Sequence, residues 1–242
     1  MFYKNLAPVY RFVFPVEDKA EFLMRHMPHS GEVLDIGSAD GTVMSALKAL
    51  EPDLNLLGID LSESLIEAAK KLFPSLSNHF LLMDMRSAKD NFGFMRFDGI
   101  YCIGNTLVHL EETESILSDI RDMLKPGGTF VLQILNYDKI LAEKPSQLPS
   151  IDNDQVAFER FYSYSESSKD ATASITFSSV LTIKGEIPRI LSAETQLFPI
   201  SKKSLLDQLD RAGFENHKWY SGFDGKAFSD KSLPLIVVTQ RR

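Results

Sequence analysis

The first half of the chain alternates between two hydrophobic periods. Short apolar runs predict buried strands: GEVLDIG (31–37), NLLGID (55–60), HFLLMD (79–84), FDGIYCI (97–103) and TFVLQIL (129–135). Between them, apolar residues recur at helical spacing. Val43, Met44, Leu47 and Leu50 share one face, and Ser62 offers a cap for a helix through about Phe73. Ile116, Leu117, Ile120, Met123 and Leu124 predict a helix over Glu112–Leu124, broken at Lys125-Pro126-Gly127-Gly128. An earlier helix near 17–27 carries acidic residues in its first turn, where the helix dipole favours them. Strands alternating with helices imply a parallel sheet.

After Tyr137 the period changes to two. AFERFYSYSE (157–166), TASITFSSVLTI (172–183) and RILSAETQLFPI (189–200), separated by the turn-like SSKD and KGE, predict an antiparallel meander inserted beside the main sheet. SKKSLLDQLDRAGF (201–214) returns to helix, with Ser201 as its cap. HKWYSGF (217–223) and LPLIVVTQ (233–240) predict a closing antiparallel strand pair. The fold class is therefore α/β: a doubly wound, Rossmann-like, seven-stranded and mostly parallel sheet, with a terminal antiparallel pair and an antiparallel β insertion. Residues 1–140 are the expected core with its N-terminal segment, 141–200 the insertion, and 201–242 the elements that complete the core.

The 242 residues suffice for one such domain with an insertion, and the apolar (44%) and charged (24%) fractions are those of a globular protein. A net charge of −7 with scattered lysines and arginines argues against nucleic acid or an anionic membrane as partner. Cys102 is the only cysteine, so no intrachain disulfide forms, and a reducing, cytoplasmic setting is expected. No apolar run has the roughly 20 residues of a membrane helix, and the aromatic N-terminus, interrupted by Lys4 and Arg11, lacks a signal-peptide core. His26, His29, His79 and His217 show no ligand spacing, and no metal is expected.

The chemistry is carried by three aspartates on three successive strands: Asp35 in the first, Asp60 ending the second and Asp84 ending the third. In a doubly wound sheet, ligands bind at the carboxyl ends of the strands, so all three can reach one ligand. Gly37 lets the chain turn sharply beside it. Asp60 follows that turn by about 20 residues, the spacing at which an acid accepts hydrogen bonds from two ribose hydroxyls. A dinucleotide turn would read G-x-G-x-x-G; here Ala39 and Thr42 stand at the second and third glycines. With Asp35 inside the turn, the pattern suits an adenosine ligand with cationic groups and no pyrophosphate.

VLDIGSADG (33–41) resembles the first motif of the class I S-adenosylmethionine-dependent methyltransferases, with Asp35, Gly37 and Gly41 in place and Ala39 where the family has glycine. GIDLS (58–62) resembles the ribose loop, LLMDMRS (81–87) the adenine loop and LKPGG (124–128) the turn before strand five. The resemblance implies S-adenosyl-L-methionine as cofactor, with Asp84 at the exocyclic amine and Met85 on the ring. Ser38, Leu61 and Gly104 are assigned to the same site. So is Cys102, although its side chain reads as a small buried apolar group. YKNLAPVY (3–10) resembles a lid whose tyrosine, Tyr10, lies over the cofactor.

FDGIYCIGNTLVHL (97–110) followed by NYD (136–138) resembles, more narrowly, the glycine and sarcosine N-methyltransferases. That likeness implies a small-molecule methyl acceptor, an amine before an oxygen nucleophile, and places Asn136 at it. Asn105, His109, Asn136 and Tyr137 are the expected acceptor residues, and Arg160 or Arg189 of the insertion is expected to bind an acidic group. No residue is assigned as catalytic, because methyl transfer from a sulfonium needs mainly positioning. Two rivals share the pattern: a non-catalytic binder of S-adenosylmethionine or S-adenosylhomocysteine, and a nicotinamide-dependent oxidoreductase.

Overall fold

The computed structural model describes residues 6–16, 18–165 and 174–242. The opening of the 3–10 segment, Glu17 of the first predicted helix and the SSKD turn lie outside the described residues.

The main sheet is built from β1 (Gly31–Ile36), β2 (Leu54–Asp60), β3 (Phe80–Leu82), β4 (Phe97–Cys102), β5 (Leu124–Leu135), β10 (Phe214–Tyr220) and β11 (Pro234–Arg241). Its order is β10-β11-β5-β4-β1-β2-β3. Strands β1 to β5 pair in parallel, and β11 pairs antiparallel with both β5 and β10. The four remaining strands, β6 (Gln147–Asp152), β7 (Val156–Tyr164), β8 (Ile175–Ile183) and β9 (Arg189–Leu197), form a separate antiparallel sheet in sequence order.

Alternate residues of the parallel strands feed two apolar layers. Leu34, Ile100 and Phe130 join Ile116, Ile120 and Leu205 on one face; Val33, Tyr101 and Val131 join Phe22, Met44 and Ile66 on the other. Both faces are thus covered by helices, which is why these strands read as continuous apolar runs. Among the described residues, no helix is long and apolar enough to cross a membrane.

Three local differences from the sequence reading have physical causes. The predicted 112–124 helix starts at Glu114, with Thr113 before it held by its hydroxyl's bond to Gln208 Oε1 at 2.7 Å. Strand β5 already begins at Leu124, the Pro-Gly-Gly stretch being absorbed as an irregularity with Gly127 at φ 75°. The insertion has four strands rather than three. Its first, QLPSID, carries Pro149 and Ser150, which hide the alternation, and the β6–β7 register shifts between Leu148 and Ile151.

The N-terminal segment straddles the two sheets. Leu6, Val9 and Val13 pack on Val156, Phe158 and Leu181 of the insertion. Ala7 packs on Ala39 and Leu65 of the main domain.

Candidate cofactor and acceptor site

The turn after β1 is held from β2. The amides of Gly37 and Ser38 both donate to the Ile59 carbonyl, at 2.8 and 3.0 Å. Asp60 then clamps the loops on either side: Oδ2 accepts from the Ala39 amide at 3.0 Å and Oδ1 from the Ser62 amide at 2.8 Å. Burial raises the Asp60 carboxyl above the usual carboxylate range, and the backbone amides that donate to it oppose the rise. Ala39, at the family's glycine position, lies in the left-handed region at φ 50°. An alanine there costs about 1–2 kcal/mol, and the bond to Asp60 helps to hold it.

Asp40 is nearly fully buried and stands just before the helix Thr42–Leu50, whose N-cap is Gly41. Its Oδ1 accepts from the Thr42 amide at 3.2 Å and from Thr42 Oγ1 at 2.7 Å. A pyrophosphate would need that helix N-terminus. Here the protein's own carboxyl group occupies it, which argues against a dinucleotide.

Two adjoining cavities open at the carboxyl ends of the strands. The outer one, about 740 Å³, runs past Asp60 and Leu61 to Asp84, Met85 and Arg86. Asp60, Glu63, Glu67, Asp84 and Glu194 give it an anionic wall. The guanidinium of Arg86 pairs with Asp84 and holds its carboxyl below the ordinary range. The inner chamber, about 260 Å³, is lined by Asp35, Ser38, Gln133, Arg160, Tyr162 and aromatic and aliphatic side chains. Tyr10, Gly37, Ala39, Gly104 and His109 line both. Burial holds the His109 imidazole below the usual histidine range.

The site fits a cationic adenosine ligand. Asp35 Oδ1 and Ser38 Oγ are buried without a well-formed hydrogen bond among the described residues. Burial pushes the Asp35 carboxyl up to about 8; the facing Tyr101 phenol opposes this and the Asp60 charge adds to it. A carboxyl whose folded pKa exceeds its unfolded one binds a proton more tightly when folded. Its contribution to stability therefore falls as pH rises from about 4 to about 8. Denaturant titrations of the ligand-free protein across that window should show this decline, and Asp35→Asn should flatten it.

The other expected residues are placed as follows. Gly41 backs onto Phe80, and Cys102 is buried within the sheet; neither lines a cavity. Asn105 lines the inner chamber, but its side chain is committed: Nδ2 donates to Tyr137 Oη at 2.9 Å and Oδ1 accepts from the Leu135 amide at 3.0 Å. Asn136 lines neither cavity. Its Nδ2 donates to the Asp230 and Ser232 carbonyls, and its Oδ1 caps the helix Tyr137–Glu143. Tyr137 is fully buried and lines neither cavity. Arg160 lines the inner chamber, with Nε buried and unpartnered among the described residues; Arg189 is exposed at the start of β9 and does not reach it. Gln133 and Tyr162 escaped the sequence reading, since a polar residue in an alternating strand gives no sign of which cavity it meets. Among the described residues, no cluster of three or more His, Cys, Asp or Glu side chains is arranged to hold a metal.

Comparison with known proteins agrees with this geometry. Residues 34–130 match the family model described as a methyltransferase domain. Glycine N-methyltransferase of Mus musculus is 28% identical over 139 residues, 50% of this chain and 45% of that one. The chain thus spans less than half the length of that curated relative. The glycine/sarcosine N-methyltransferase of Aphanothece halophytica is 22% identical over 231 residues, 92% of this chain and 82% of that one. A solved S-adenosylmethionine-dependent methyltransferase from Clostridium acetobutylicum superposes with a TM-score of 0.79 at 15% identity, covering 99% of this chain and 97% of the other. Its methyltransferase-domain match over residues 34–130, its strand order and its Gly37–Asp60 turn make the chain similar to the class I S-adenosylmethionine-dependent methyltransferases.

Proposed function

We propose that the protein transfers a methyl group from S-adenosylmethionine to the nitrogen of a small amine. The observation that carries this reading is the pair of cavities joined at Gly37 and Gly104: an anionic outer cleft and a smaller inner chamber. Asp60 would accept from the ribose hydroxyls, since each carboxyl oxygen keeps a lone pair beyond the backbone amide it already serves. Asp84 and Met85 would hold the adenine, with Leu61 beside them. Asp35, Ser38 and Gly104 would surround the amino-acid end, and Tyr10 would cover the junction. When bound, the cofactor supplies an electrophilic methyl carbon on a sulfonium. Uptake of that cation favours ionised Asp35, so binding near pH 7 should release up to about one proton per molecule.

The chain's own part in the chemistry is positioning, exclusion of water and handling one proton. Tyr10 and Phe14 wall the inner chamber. An amine must be neutral to attack, and His109, kept neutral by burial, can take that proton at a ring nitrogen. Arg160 offers a positive charge to an acidic group on the acceptor. Asn136 and Tyr137 have structural tasks instead, and Asn105 secures the turn after β4. An amine acceptor is supported by the relatives that act on glycine and sarcosine by name. The inner chamber also favours catalysis over mere storage of the cofactor.

The test is incubation with methyl-labelled S-adenosylmethionine and a panel of small amines, amino acids and hydroxylated aromatics. Label should appear on nitrogen. Label found only on oxygen would overturn the amine assignment. No transfer by a protein that binds S-adenosylhomocysteine would favour a binding role.

A further inference from the structure

The orientation of one buried amide constrains the acceptor further. Gln133 lies in β5, opposite Ile236 of β11, and is 7% exposed. The Gly104 amide donates to its Oε1 at 2.7 Å. A backbone N–H can only donate, so that bond fixes which end of the carboxamide is oxygen and which is nitrogen. Nε2 therefore points the other way. It makes no hydrogen bond to the described residues, yet it is not among the sealed polar atoms, so its N–H groups open on the inner chamber that Gln133 lines.

Strand order separates this donor from the cofactor's place. Asp84 follows β3, Asp60 ends β2, Gly37 follows β1, and Gly104 follows β4. Gln133 sits one strand further, on β5, in the chamber that also receives Arg160 from the insertion. A donor so oriented needs an acceptor atom; facing an ammonium or an apolar group it would be left unpaired at a cost.

Resting on the methyltransferase reading above, we propose that Gln133 is a specificity-determining residue that donates through Nε2–H to a carboxylate oxygen of the amine acceptor. Arg160 supplies the charge in the same chamber, and the aromatic wall accommodates an apolar body.

The experiment is calorimetric binding to the protein saturated with S-adenosylhomocysteine. The probes are matched pairs with and without an α-carboxylate, from glycine and methylamine to L-phenylalanine and phenethylamine. The wild type should prefer the carboxylate member of at least one pair. Glu at 133 still accepts from Gly104 but presents an oxygen where Gln133 presents N–H groups; Met keeps the length without a donor. In Q133E and Q133M the preference should fall by about 10- to 100-fold, with S-adenosylhomocysteine affinity unchanged in Q133E, which keeps the bond from the Gly104 amide. A merely structural role would weaken both members of a pair alike. The inference is overturned if no pair shows a carboxylate preference in the wild type, or if the preference survives both substitutions. It is also overturned if cofactor-product affinity collapses in Q133E, which would assign Gln133 to the cofactor instead. Failure of the wild type to bind S-adenosylhomocysteine would overturn the methyltransferase reading, and the role of Gln133 with it.

Discussion

Alanine in place of Asp60 should weaken S-adenosylhomocysteine binding by about 150- to 25,000-fold, the loss of two hydrogen bonds to a carboxylate worth about 1.5–3 kcal/mol each. Two effects act together. The ribose hydroxyls lose their acceptor, and the amides of Ala39 and Ser62 lose theirs. Ala39 is the more sensitive of these, because its left-handed backbone has no glycine to ease it. Thermal or chemical unfolding provides the readout. A ligand at 100 times its Kd stabilises the wild type by about 2.7 kcal/mol, and the same ligand concentration should leave the variant nearly unshifted. Asp60→Asn keeps one acceptor oxygen and should fall between the two. A variant that retained the full shift would mean that the ribose lies elsewhere.

Gly37→Ala should cost about 2–4 kcal/mol of stability and abolish ligand binding, through backbone strain and overlap together. Gly37 has φ 81°, a region that disfavours a side chain. An added Cβ would also meet Cγ2 and Oγ1 of Thr106, each at 2.7 Å. Thr106 is not free to swing aside, since its hydroxyl donates to the Ile103 carbonyl at 2.9 Å. The two contributions separate in a second variant. Adding Thr106→Ala to Gly37→Ala removes the overlapping atoms and should recover part of the stability, leaving the strain. Full recovery would mean that the backbone at 37 tolerates a side chain, and that the glycine answers only to Thr106.

The parts of this site that are local in sequence were legible. Asp60 ends a strand, Gly37 and Asp84 follow one, the third strand stopping at Leu82 and not at Asp84 as its apolar run predicts, and the strand pattern alone sets all three at the carboxyl ends of one sheet. Alanine at 39 stands where the resembled motif has glycine; the backbone there does need positive φ, and a bond to Asp60 of β2, 21 residues away, supports it. What depends on distant packing was not legible. Asn136 stands at a strand's carboxyl end, as an acceptor residue would, but carbonyls of residues 230 and 232 claim its side chain. The pairing of Asn105 with Tyr137 likewise joins the turn after β4 to the start of a helix that no local pattern connects with it. Gln133 looked like any polar residue in a strand. Its meaning comes from Gly104 just past the neighbouring strand β4, a partner set by sheet order and not by spacing. Asp40 was readable in principle, since an aspartate readily accepts from the backbone amide two residues on, as it does here from Thr42 at the helix start.

The central claim is that the Gly37–Asp60 turn holds an adenosine with no pyrophosphate. A crystal structure with S-adenosylhomocysteine tests it most directly. The ribose hydroxyls should lie within hydrogen-bonding distance of the Asp60 carboxylate, and the adenine should sit at Asp84 and Met85. A ligand bound anywhere else in the molecule, or with its ribose turned away from Asp60, would contradict the account.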